Sequence, residues 1–198
     1  MTRIVALTGS AAAGKSSVGA LFREWGTPVF DADALVRELQ QPGEPVFERI
    51  VAAFGRGVLD AHGGLDRAAM RRRILDDRDA KQRLEAIVHP ALETRRRALV
   101  EAARARGESL VVAEIPLLFD AADPAEYDGV IVVDAPVAER RRRLMHDRGL
   151  DAREADQLIA AQLPATEQRA RATWIIDNDG DRDALVRRAR TVWDELHR

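Results

Sequence analysis

Residues Gly9-Ser10-Ala11-Ala12-Ala13-Gly14-Lys15-Ser16 fit the pattern G-x-x-x-x-G-K-[ST], and they lie between an apolar run, Ile4–Leu7, and a stretch whose apolar residues recur at helical spacing. This octet restricts the fold more than any other part of the chain. Glycine at both ends lets the backbone wrap closely around an anion, with successive N–H groups pointing inward as donors. A helix opening at the end of the loop adds the positive end of its dipole. Lys15 is expected to reach the β- and γ-phosphates of a nucleotide, and the Ser16 hydroxyl to ligate Mg²⁺. Chance produces such a match in roughly one chain in two thousand of this composition, partly because only Lys15 and Lys81 of the 31 basic residues are lysines.

Further short apolar runs follow at Pro28–Phe30, Leu110–Ala113, Val130–Val133 and Trp174–Ile176. Runs of this length without alternation suit strands buried on both faces of a parallel sheet. Helical stretches separate them. Ser16–Trp25 carries Val18, Leu21, Phe22 and Trp25 on one stripe and stops at Gly26. Val137–Met145 and Asp181–Leu196 are further helices, the last with Leu185, Val186, Ala189, Val192 and Trp193 as its apolar side. Strand and helix in alternation give an α/β fold with right-handed crossovers. Segment 37–107 breaks the alternation, being helix-forming throughout and too long for a plain crossover, so it is expected to be an inserted helical subdomain. Segment 137–171 is Arg-rich and weakly apolar, punctuated by Gly149 and Pro164, and is expected to form a helical lid. Residues 1–36, 108–136 and 172–198 then make the core.

A second cluster of chemistry follows the second strand. Val29-Phe30 leads into Asp31-Ala32-Asp33, at the sheet edge that faces the ligand crevice in open α/β folds. If the strand persists, both carboxylates point to one side, where one can accept a proton from an acceptor hydroxyl. The alternative is that Asp33 caps the helix running on through Leu35, Val36 and Leu39. The chain has no N-K-x-D to read guanine, and the D-x-x-G at Asp60–Gly63 follows no strand, which argues against a GTPase switch. A phosphotransferase with a substrate subdomain and an arginine-bearing lid fits better.

Composition removes other classes. A net charge of −2 gives no general attraction for nucleic acid or an acidic membrane. The absence of cysteine excludes disulfides, thiolate metal sites and cysteine nucleophiles. The N-terminus lacks the pattern of a signal peptide, and no apolar run approaches a membrane span, so a cytoplasmic enzyme is expected.

The motifs in order make the chain resemble the dephospho-coenzyme A kinase family over nearly its whole length. They are Ala6-Leu7-Thr8-Gly9 and the loop, Asp31-Ala32-Asp33 with Arg37, His89-Pro90, Ile115-Pro116-Leu117-Leu118-Phe119, Val132-Val133-Asp134-Ala135-Pro136, Arg143-Leu144, Ala160-Ala161-Gln162, and Ile176-Asp177-Asn178-Asp179-Gly180. The resemblance implies a five-stranded parallel sheet of the P-loop NTP hydrolase and nucleoside-monophosphate-kinase type, with a helical substrate-binding insert and a helical lid. It implies phosphorylation of the ribose 3′-hydroxyl of dephospho-CoA by ATP with Mg²⁺, by a monomer or small homo-oligomer. Asp33 matches the general base, Lys15 and Arg143 the groups acting on the transferring phosphoryl, and Ser16 the metal ligand. ATP would be held by Ala12, Ala13, Gly14, Lys15, Ser16, Ser17 and Asn178, the last in the stretch lining the adenine pocket. The acceptor would be held by Asp33, Arg37, His89, Leu117, Leu118 and Phe119.

The family's loop usually has glycine where this chain has Ser10 and Ala12, so either these residues avoid positive φ or a small strain is tolerated. A glutamine common early in the lid helix is Arg140 here. His89 has a plain reading as the last residue of one helix, with Pro90 opening the next. Glu114, ending the third strand, suits a water-mediated magnesium ligand, or a cap or ion pair. The arginine runs at 71–73, 95–97 and 187–190 read as solvated helix faces, and His62, His146 and His197 show no metal-ligand spacing.

Overall fold

The apolar runs become strands of one parallel sheet. The computed structural model describes residues 2–121 and 123–198. Strands β1 (Arg3–Gly9), β2 (Val29–Asp31), β3 (Leu110–Glu114), β4 (Gly129–Asp134) and β5 (Trp174–Asp177) lie in the order β2-β3-β1-β4-β5, every pair parallel. Residues of both parities along β1, β3 and β4 are buried, which is why these segments read as continuous rather than alternating. On one face Val5, Leu7, Leu110, Val112, Ile131, Val133 and Ile176 meet helix α1 (Lys15–Glu24) through Val18, Leu21 and Phe22. The C-terminal helix joins the same cluster through Leu185, Ala189, Val192 and Leu196. Phe22 is fully buried, so truncating it to alanine costs about 3–5 kcal/mol.

Two compact units form, Met1–Asp31 with Ala102–Arg198, and Ala32–Glu101. The second contains α2 (Ala32–Leu39), α3 (Pro45–Phe54), α4 (Arg67–Asp76) and most of α5 (Arg78–Ala105). As the sequence predicts, this stretch is helical: its β pairing, among the described residues, is the single bridge Leu59–Leu65. Val46, Ile50, Phe54, Met70, Ile87 and Val88 form its own core. Its helix starts are fixed by aspartates, Asp66 accepting from the N–H groups of Ala68 and Ala69, and Asp77 from those of Asp79 and Ala80. The expectation that a helix ends at His89 is overturned, because α5 passes through Pro90 without a break. Proline there removes one internal hydrogen bond, and the Pro90 carbonyl accepts from Thr94 Oγ1 at 2.9 Å.

In the first unit the short α6 (Leu118–Ala121) follows β3, and α7 (Val137–Arg148), α8 (Ala152–Ala160) and α9 (Ala165–Ala170) lie between β4 and β5, in the segment expected to be a lid. Helix α10 (Arg182–Leu196) closes the chain. Asp151 and Glu154 form a reciprocal capping box at α8, and Asp181 caps α10.

Candidate active site

The phosphate loop leaves the sheet where only glycine fits. At Gly9 φ is 151°, and a Cβ there would lie 2.2 Å from the Val133 carbonyl oxygen. The next four residues close a tight turn, with the Ala13 N–H donating to the Ser10 carbonyl at 3.1 Å and Ala12 at φ 59°. Positive φ at the third residue is the type II pattern, which favours glycine. Of the two possibilities the sequence left open, the strained one therefore holds at Ala12, while Ser10 avoids positive φ. Gly14 then adopts φ 100° and ψ 18° as N-cap of α1. Among the described residues, the N–H groups of Ala12, Gly14, Lys15 and Ser16 donate to no protein acceptor, whereas those of Ala11, Ala13 and Ser17 bond to Gln162, Ser10 and Gly14. Four free donors at the positive end of α1 make an anion cradle.

Behind the loop sits one buried acid. Glu114, the last residue of β3, is 2% exposed. Its Oε1 accepts from Ser16 Oγ at 2.9 Å and lies 3.6 Å from Lys15 Nζ, and its Oε2 lies 3.5 Å from Arg23. Room for the carboxylate comes from Gly19, where a Cβ would approach Oε2 to 2.8 Å. A hydroxyl and a carboxylate side by side supply the hard oxygen donors that Mg²⁺ takes, one or two from protein with the rest from phosphate and water. Among the described residues no group of three or more acids or histidines forms a dedicated metal cage. Of the roles the sequence offered Glu114, a magnesium ligand through water, a cap or an ion pair, the structure shows the ion pair, with Lys15 and Arg23, and adds the hydrogen bond from Ser16.

The loop is also held from its C-terminal neighbours. Asn178, 7% exposed after β5, donates from Nδ2 to the Ala13 carbonyl at 2.8 Å, and a Cβ on Gly14 would lie 2.2 Å from that nitrogen. Arg143 donates from Nη1 to the Ala12 carbonyl at 3.1 Å and from Nε to Glu139 at 2.9 Å. Hydrogen bonds from Arg142, and the charges of Arg143 and Arg142, hold the Glu139 carboxyl down at about 2.

After β3 the chain turns sharply. Leu117 takes φ 53° and leaves 45% of its surface exposed, a costly conformation for a branched side chain. Leu118 is fully buried, with its N–H 3.4 Å from Thr8 Oγ1, so it belongs to the core and presents no surface to a ligand. Phe119 is half-buried, with the Arg171 guanidinium 5.7 Å from its ring centre.

In the helical unit, Asp33 lies exposed in the first turn of α2, and its carbonyl accepts from Arg37 Nε at 3.1 Å. The strand stops at Asp31, so the expectation that residues 31 and 33 share one face of a continuing strand fails: at Ala32 the backbone is already helical. His89 is exposed on α5.

A family model described as dephospho-CoA kinase matches residues 3–183. A dephospho-CoA kinase of Corynebacterium diphtheriae is 41% identical over 191 residues, covering 96% of both chains. Among solved structures, TT1252 from Thermus thermophilus superposes with a TM-score of 0.81 at 38% identity, covering 98% of each chain. The dephospho-CoA kinase from Campylobacter jejuni, 22% identical, shares the fold with a TM-score of 0.73 over 99% of this chain and 98% of its own.

Proposed function

The chain belongs to the dephospho-CoA kinase family, and from that premise we propose that its phosphate loop delivers the γ-phosphoryl group of ATP to the ribose 3′-hydroxyl of dephospho-CoA, giving CoA and ADP. The observation that carries this reading is the buried Glu114 carboxylate between Ser16 Oγ and Lys15 Nζ, directly behind four free loop amides. Such an arrangement holds a triphosphate and its cation together. Ser16, with Glu114 beside it, would hold Mg²⁺, which when bound supplies charge neutralisation to the β- and γ-phosphates.

The free loop amides of Ala12, Gly14, Lys15 and Ser16 orient the triphosphate, while those of Ala13 and Ser17 are held within the loop by Ser10 and Gly14, and Lys15 steadies its outer phosphates. Asp33 accepts the proton of the 3′-hydroxyl as the new O–P bond forms and the bond to the β-phosphate oxygen breaks, ADP leaving with the electron pair. Arg143 meets charge on the transferring group. Arg37, His89, Leu117 and Phe119 contact the acceptor; the exposed, positive-φ Leu117 supports this, since strain of that kind is kept where it serves a ligand. Leu118 acts from the core by holding this turn to Thr8.

Incubating the purified protein with Mg²⁺, ATP and dephospho-CoA should yield ADP and CoA in equal amounts. Turnover of a nucleoside monophosphate with none of dephospho-CoA would overturn the reading.

A further inference from the structure

The phosphate loop is gripped by a buried polar network that its own motif does not require. Arg140, early in α7, is only 3% exposed. Its Nε donates to the Ala11 carbonyl at 3.1 Å and its Nη2 to Gln162 Oε1 at 2.9 Å. The same glutamine oxygen accepts the Ala11 N–H at 3.0 Å. Gln168, 5% exposed in α9, donates to Ser10 Oγ at 2.9 Å and to the Leu163 carbonyl at 2.8 Å. Its neighbour Arg169 ties α9 to Asp134, at 3.0 Å, and to Asp177, at the ends of β4 and β5. Both polar groups of Ala11 and the side chain of Ser10 are thus committed to elements that follow β4.

Two features make this more than packing. Burying a guanidinium is costly, yet these donors go to a loop carbonyl and a glutamine rather than to a carboxylate. Next to the gripped residues stands Ala12 at φ 59°, a conformation that a non-glycine residue keeps only where its surroundings over-determine it. The grip and the strain fall on adjacent peptides.

We propose that Arg140 is a positioning residue for ATP: through Ala11 and Gln162 it imposes the left-handed turn at Ala12 and so aims the loop amides before nucleotide arrives. This rests on the reading that the loop holds the ATP phosphates, which calorimetric binding of ATP to the unaltered protein tests separately. Arg140→Met keeps an unbranched apolar stem in the buried channel and removes the guanidinium with its donors. We expect the Kd for ATP to rise about tenfold, equivalent to about 1.4 kcal/mol, while KM for dephospho-CoA stays within about twofold. Adding Ala12→Gly to Arg140→Met should recover about threefold of the loss, because glycine takes positive φ freely. If Arg140→Met does not fold, Gln162→Leu carries the same expectations. An unchanged ATP Kd in a folded variant, an equal loss for both substrates, or no recovery with glycine at position 12 overturns the proposal.

Discussion

Ser16 Oγ donates to Glu114 Oε1 across 2.9 Å, joining the first turn of α1 to the end of β3. The hydroxyl proton is thereby aimed at the carboxylate, which leaves the serine oxygen's lone pairs for a cation. Glu114 also balances Lys15, 3.6 Å away, in a place where an unpaired buried charge would be costly.

Replacing Glu114 by glutamine keeps the shape and removes the charge. The Mg²⁺ concentration giving half-maximal activity should rise roughly 10- to 100-fold, as for other groups that orient a metal ligand. Gly19→Ala tests the same contact by crowding, since its Cβ would meet Oε2 at 2.8 Å. A smaller rise in the same direction is expected. Unchanged Mg²⁺ dependence in both variants would assign Glu114 to charge balance alone.

Asp33 stands in the first turn of α2, where a carboxylate also favours the helix dipole, by about 0.3–1 kcal/mol. The two roles separate by measurement. As a general base, Asp33→Asn should lower kcat by roughly 10²-fold or more with ATP binding intact. As a helix-terminal charge alone, it would lower Tm slightly and leave kcat in place.

Asn178 bonds the loop through the Ala13 carbonyl at 2.8 Å. Asn178→Ala deprives a buried acceptor of its shortest partner, which costs about 1–3 kcal/mol. Because the contact is with the loop, affinity for ATP and for GTP should fall by the same factor in nucleotide titrations. A loss confined to ATP would instead place Asn178 against the base.

The sheet and the loop could be read from the chain because their signals are local. Five β-branched runs too short for helices, each followed by a helical stripe, admit little but a parallel sheet, and all five strands lie where those runs stand. Where one stretch of sequence carried two local signals, the reading went astray. Asp31-Ala32-Asp33 suits both a strand end and a helix start, and the helix won at Ala32. Pro90 usually breaks a helix, yet Ile87, Val88 and their neighbours continue the apolar face of α5 and carry it through. Leu118 looked like cleft surface because apolar residues after a strand suit either a pocket or a core. The grip of Arg140 and Gln168 on residues 10 and 11 joins positions more than a hundred apart, and no spacing rule reaches that far.

Glu139 offers a test by pH. Its carboxyl sits at about 2 rather than the usual 4.5, first through the hydrogen bond from Arg142 and then through the charges of Arg143 and Arg142. A carboxyl whose folded pKa lies below its unfolded value adds stability above the unfolded value, and that stability disappears as pH falls through the folded one. The stability added by this pairing should therefore be complete above about 4.5 and gone by about 2, while the anchoring of Arg143, 2.9 Å from Glu139, should itself persist until the carboxyl protonates near about 2. Carbon-detected NMR titration of Glu139 should give a midpoint near 2, and Arg142→Gln should move it up toward 4.5. Glu139→Gln removes the ion pair to Arg143 at every pH while leaving the bond to the Ala12 carbonyl, and its kcat should then match the wild-type value if the ion pair only parks that arginine. A lower kcat with unchanged KM for ATP would mean that Glu139 aims Arg143 during transfer.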